Sequence, residues 1–92
     1  MSDLMSTGEI QNALAEVPGW DLEGISIVRE FHLETFSAAI AFVIGIAMSA
    51  EKLNHHPDID IRYRKVRVAI STHSVGGLTD LDFSLASLCD GL

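Results

Sequence analysis

Ile10, Leu14 and Val17 recur at helical spacing, and Pro18-Gly19 closes the run, which predicts a short amphipathic helix over Gly8 to Glu16 capped by Thr7. The period then changes. Trp20 and Leu22, followed by Ile25, Val28 and Phe31, suggest two strands joined at Glu23-Gly24, with alternation clearest from Ile27 to Leu33. Thr35 is placed to cap a long second helix, in which Phe36, Ile40, Val43, Ile44 and Ala47 form one apolar stripe and Phe42 and Ile46 widen it. One packing face cannot absorb that much apolar surface. Pro57 disfavours the helical region for the residue before it, so this helix should stop at about His55 or His56.

Alternation returns at Asp58 to Arg62 and again at Lys65 to Ser71, where Val66, Val68 and Ile70 stay in phase, giving two further strands with a tight turn near Tyr63 to Lys65. Val66, Val68, Ile70 and Thr72 share one face; Arg67, Ala69, Ser71 and His73 share the other. Gly76-Gly77 supplies a loop, Thr79 is an N-cap with Asp82 at the third helical position, and Phe83, Leu85, Ala86, Leu88 and Cys89 carry a third helix. The order α-β-β-α-β-β-α predicts a single α+β domain over residues 1–92, without linker, low-complexity tract or sequence repeat.

Composition narrows the partners. A formal charge of −7 repels nucleic acid and anionic membrane surfaces, so direct DNA binding is disfavoured. Four of the 6 basic residues, Arg62, Arg64, Lys65 and Arg67, nevertheless fall in one segment; a solvated strand edge is the simpler reading and a local anion contact the sharper one. The single cysteine, Cys89, excludes an internal disulfide and fits a reducing cytosol. Met1-Ser2-Asp3-Leu4-Met5 lacks the pattern of a secretory signal, and the apolar tract Ala38 to Ala50 falls short of the ~20 residues of a membrane helix. A soluble cytoplasmic protein is expected, with no membrane contact.

The candidate chemistry is concentrated between Glu51 and Asp82, where three of the 4 histidines lie. On a helix Glu51 and His55 share a face, so the carboxylate could orient the imidazole, although spacing alone leaves open that Glu51 is an ordinary surface acid. His56 taken alone reads as a structural histidine. His73 sits beyond a strand end on the face without large apolar groups. Adjacent His55 and His56 cannot both aim at one ion from a regular helix, so no metal site is expected. Ser71, Ser74 and Ser84 lack a nucleophile-elbow pattern, and Cys89 lies in an apolar helical face, which leaves acid and base work by imidazoles as the best chemistry on offer.

An acid, three residues, His-His-Pro, five residues, Tyr, nine residues, His, and eight residues before Asp: this spacing resembles the signature of the pterin-4a-carbinolamine dehydratase family. Here Glu51, His55, His56, Pro57, Tyr63, His73 and Asp82 carry it. The resemblance extends to Gly19-Trp20, the Phe36 to Asn54 helix and Gly77-Leu78-Thr79, and covers most of the chain. It implies a four-stranded antiparallel sheet with three helices on one face, and a hydro-lyase reaction that takes a 4a-hydroxytetrahydropterin to the quinonoid dihydropterin with no cofactor and no metal. It further implies that His55 and His73 handle the proton transfers, that His56 holds the pterin, and that Glu51, Pro57, Thr72 and Asp82 bind or orient. The implied partners are the pterin substrate, further copies in a homodimer or homotetramer, and a functional link to an aromatic amino-acid hydroxylase. The family also uses this fold in binding modules, as a dimerisation cofactor or assembly chaperone, which is the competing reading.

Overall fold

Ser6, rather than Thr7, starts the first helix. A computed structural model of the chain describes residues 3–92; Met1 and Ser2, part of the segment screened for a leader, lie outside the described residues. Helix α1 spans Thr7–Glu16, and its cap is a reciprocal pair. The Glu9 N–H donates to the Ser6 hydroxyl at 3.2 Å, and the Ser6 N–H donates to the Glu9 carboxylate at 2.9 Å. Those hydrogen bonds hold the Glu9 carboxyl below its ordinary range. Sequence spacing alone does not separate Ser6 from Thr7; only Ser6 has glutamate three residues on.

Strands β1 (Asp21–Glu23) and β2 (Ser26–His32), helix α2 (Phe36–Leu53), strands β3 (Asp58–Arg62) and β4 (Lys65–Ile70), and helix α3 (Asp80–Asp90) follow in the expected order. All pairings are antiparallel and the sheet order is β1-β2-β4-β3, so β4 inserts between the first hairpin and β3. Register sets the core: Ile27 lies opposite Ile70 and Phe31 opposite Val66 on one face. Ile27, Val66, Val68 and Ile70 are completely buried, as are Ala39 and Ile46 of α2 and Leu85 and Ala86 of α3. Each buried Ile, Leu or Val contributes about 1.5–3 kcal/mol.

Two expectations change at α2. Its buried face is Ala39, Ile46 and Ala50, with Phe42 and Val43 half-buried against the core. Much of the expected stripe is on the open side, since Phe36 and Ile44 are exposed at 51% and 59% and Ala47 is exposed with them, as is Met48 beside the stripe. Small Ala39 and Ala50 let the helix approach the sheet, whereas a count of large apolar residues points to the other face. The helix is also longer than the tract Ala38 to Ala50. Its 18 residues, at a mean hydropathy of 1.6, are long and apolar enough by length and composition to cross a membrane. Its packed face is narrow, with Ala39, Ile46 and Ala50 its only buried residues.

The ends of α3 and the first hairpin are tied by one carboxylate. Asp90 accepts from the Trp20 indole N–H and from the Arg29 guanidinium, both at 2.9 Å. A side chain at Gly19 would meet that guanidinium at 2.4 Å, so any larger residue here would require Arg29 to shift from its place on Asp90.

Candidate active site

Helix α2 stops at Leu53, before the expected His55 or His56, because Asn54 takes the left-handed conformation (φ 49°, ψ 45°). The Asn54 N–H returns to the Ala50 and Glu51 carbonyls, and the His55 N–H to Ala50 at 3.0 Å, a Schellman-type closure. His55 is therefore past the helix, and the helical spacing that paired it with Glu51 no longer applies. Glu51 instead accepts from His56, Nε2 to Oε2 2.5 Å, and both side chains are well exposed. That corrects the expected Glu51–His55 pair.

The turn folds His55 inward, where it meets Asp82: Nε2 and Oδ1 lie 2.6 Å apart, with His55 only 9% exposed and Asp82 completely buried. The other carboxylate oxygen, Oδ2, accepts from the Thr72 hydroxyl and from the Thr79 N–H, each at 2.8 Å. Thr79 in turn donates its hydroxyl proton to Thr72 Oγ1 at 2.9 Å, because the Thr72 proton is committed to Asp82. An ionised carboxylate can only accept, so Nε2 of His55 carries the proton. In that tautomer Nδ1 is the nitrogen able to accept a proton.

Thr72 links this pair to the third histidine. It lies two residues beyond β4, and its N–H bonds to the Gly77 carbonyl at 2.8 Å, so residues 73–76 form an excursion pinned at its base. A short 3-10 turn over His73–Val75 occupies that excursion and leaves His73 exposed. The route from His55 through Asp82 and Thr72 to His73 joins the ends of α2, β4 and α3. Pro57, half-buried, leads from His56 into β3. The expected site residues thus come from separate elements, with Asp82 in place of Glu51 as the partner of His55 and Glu51 on His56 instead. The sequence reading missed that Asp82 serves at once as helix cap and histidine partner, and that Thr79 belongs to the site. The Thr-x-x-Asp cap was visible; its burial beneath His55 was not.

Neither principal cleft of the molecule contains His55, His56 or His73. The site is an open surface over a buried polar hub: His56 and His73 are exposed, and His55 is held from below by Asp82.

The family model for pterin 4 alpha carbinolamine dehydratase matches residues 3–92, almost the entire chain. The chain belongs to this family. A Chloroflexus aurantiacus protein, provisionally named a pterin-4-alpha-carbinolamine dehydratase, is 55% identical over 86 residues, covering 94% of this chain and 92% of the relative. A Roseiflexus castenholzii protein with the same provisional name is 48% identical over 90 residues, 98% of this chain and 97% of its own. Among solved structures, a transcriptional coactivator/pterin dehydratase from Brucella melitensis superposes with a TM-score of 0.92 at 35% identity, covering 97% of both chains. A pterin dehydratase-like protein described as a RuBisCO assembly factor of the alpha-carboxysome shares the fold, at a TM-score of 0.64 and 16% identity over 78% of this chain and 83% of that one. In this pterin dehydratase family member, the α+β architecture and the α-β-β-α-β-β-α order agree with the sequence expectation.

Proposed function

We propose that the chain is a hydro-lyase that converts a 4a-hydroxytetrahydropterin to the quinonoid dihydropterin and water. The observation that carries this reading is the buried His55–Asp82 pair, anchored by Thr72 and Thr79 and adjoining His73. Two protons must move. The C4a–O bond breaks as the departing hydroxyl takes a proton and leaves as water, and a pterin ring nitrogen loses a proton to balance the charge. His55 Nδ1 accepts the ring proton, and Asp82 stabilises the imidazolium that forms. His73, exposed on a separate element, protonates the hydroxyl from another side of the planar ring. His56, held by Glu51, contributes to binding. No step calls for a metal or redox cofactor, and the His55 and His56 Nε2 atoms face separate carboxylates rather than a common point.

A cytoplasmic homo-oligomer fits the same reading, since the open side of α2 presents Phe36, Ile44 and Met48 to water unless another subunit covers them. A functional link to an aromatic amino-acid hydroxylase would place the reaction in pterin recycling. A binding module without catalysis would have no need of a fully satisfied carboxylate buried beneath a histidine. Steady-state kinetics on a 4a-hydroxytetrahydropterin test the assignment. His55→Ala and His73→Ala should each lower kcat roughly 10²–10⁴-fold, and the double variant should lose less than the product of the two if they act as a unit. Wild-type turnover indistinguishable from the spontaneous reaction would leave the binding module standing instead.

A further inference from the structure

The charged rows on the helix-free face of the sheet differ in one respect. In the row Glu30–Arg67–Asp60, running across β2, β4 and β3, the signs alternate and each neighbour is of opposite charge. The row at the end of the sheet, His32–Lys65–Arg62, places basic side chains side by side on all three strands. Like charges directly opposite one another on a sheet oppose folding. His32 has Glu30 at 3.0 Å and Arg62 has a long contact to Asp60 at 3.4 Å, but among the described residues no carboxylate lies within ion-pair distance of Lys65. Arg64, in the turn between β3 and β4, likewise has no carboxylate partner there and reaches only the Glu34 carbonyl at 3.4 Å. In a chain of net charge −7, two unpaired neighbouring cations call for a reason.

These groups line a cleft of about 540 Å³ formed by His32, Leu33, Arg62, Tyr63, Arg64 and Lys65. That volume lies within the ~300–1,000 Å³ range of small-molecule sites. Tyr63 is 70% exposed and held at φ 54°, a conformation that bulky residues rarely adopt. The Arg64 guanidinium lies 5.5 Å from the Tyr63 ring centroid. Flat apolar surface and uncompensated positive charge therefore meet at one place. It is remote from His55 and His56: β3 runs from Asp58, beside Pro57, to Arg62, roughly 13 Å away at ~3.3 Å per residue.

We infer that this cleft binds a small organic dianion of the phosphate-ester class with a flat apolar body, the phosphate between Lys65 and Arg64 and the body against Tyr63 and Leu33. The negative field of the whole chain disfavours extended polyanions such as nucleic acid or anionic membrane and leaves the small ligand as the match. The site does not depend on the proposed dehydration.

Phenyl phosphate, inorganic phosphate and phenol, titrated separately into the isotope-labelled full chain and followed by amide NMR, test this. Phenyl phosphate should produce saturable shifts at residues 32–33 and 62–65, bind more tightly than inorganic phosphate, and outcompete phenol. Lys65→Gln and Arg64→Gln, both at exposed positions, should each weaken it about tenfold. Without ligand and at low salt, Lys65→Gln should raise Tm by relieving the like-charge row, and phenyl phosphate should raise the Tm of wild type but not of the double variant. Absence of saturable shifts in this region, unchanged affinity in both variants, or shifts confined to residues 55–58 and 72–73 would overturn the site. Inorganic phosphate binding as tightly as phenyl phosphate would overturn the apolar part of the ligand. Tighter binding of duplex DNA or phosphatidylglycerol vesicles would overturn its small size.

Discussion

Replacing Asp82 by asparagine changes one oxygen to an amide and nothing in volume. The retained carbonyl oxygen can still accept from Thr72 and Thr79, which holds the new NH₂ toward His55, where Oδ1 now lies 2.6 Å from Nε2. Two donors cannot share that contact, so the ring must move its proton to Nδ1 and accept through Nε2. The fold loses the charge on three buried hydrogen bonds. With charge-assisted hydrogen bonds contributing about 1.5–3 kcal/mol each and neutral ones roughly half, the three losses together cost about 2–4 kcal/mol. In a domain of this size that lowers Tm by roughly 8–30 °C, so the kinetics are read at a temperature where thermal unfolding shows the variant folded. The catalytic cost should be larger. With Nδ1 protonated the accepting nitrogen is gone, and kcat should fall roughly 10²–10⁴-fold while KM changes little. Thermal unfolding and pterin dehydration kinetics on the same preparation separate the two effects, and ¹⁵N chemical shifts of His55 report the tautomer directly. An Asp82→Asn enzyme that is folded, shows the altered tautomer and turns over within threefold of wild type would refute the reasoning.

His56→Ala should raise KM more than it lowers kcat; an enzyme that binds pterin normally but turns over as poorly as His55→Ala would reverse the assigned roles. Activity should survive exhaustive chelation, since imidazoles suffice for both proton transfers, and loss restored by one equivalent of zinc would contradict this. Ile44→Glu, on the open side of α2, should convert an oligomer to a folded monomer in light scattering, whereas Ile46→Glu should unfold the chain because Ile46 is completely buried; dissociation by the second and not the first would place the interface on the wrong side. Burial, with a smaller contribution from Asp90, pushes the Cys89 thiol up to about 11, so it should resist alkylation until the chain unfolds. Because the unfolded thiol titrates near 9.0 and the folded one higher, stability from this group is intact below pH 9 and is lost as pH rises toward 11, as denaturant titrations across that range should show.

The elements were legible because their periods are clean. Strand alternation from Ile27 to Leu33 and from Lys65 to Ile70, the Thr35 cap and the Thr79 cap all carry local signals that the tertiary structure respects. What local signals could not provide was the direction of α2, where two alanines define the packed face, and the fate of the residues after it. Helical spacing paired Glu51 with His55, but the left-handed Asn54 ends the helix one residue too soon for that rule. Asn at such a position is a recognisable stop. The partner that His55 finds is 27 residues away, in the first turn of another helix, and no spacing rule reaches that far. Asp82 was read as a cap from its place after Thr79, and the same carboxylate proves to be the hub. The basic run Arg62, Arg64 and Lys65 was visible as a local cluster, but not that His32 joins it, since His32 reaches Lys65 only through the pairing of β2 with β4.

The most direct measurement is the rate at which the purified chain converts freshly generated 4a-hydroxytetrahydropterin to the quinonoid dihydropterin, compared with the spontaneous rate and with a folded His55→Ala, His73→Ala double variant. Acid and base assistance of roughly 10²–10⁴-fold at each group predicts clear acceleration by the wild type and a return toward the spontaneous rate in the double variant. A wild type no faster than buffer, or a double variant as fast as wild type, would contradict the account.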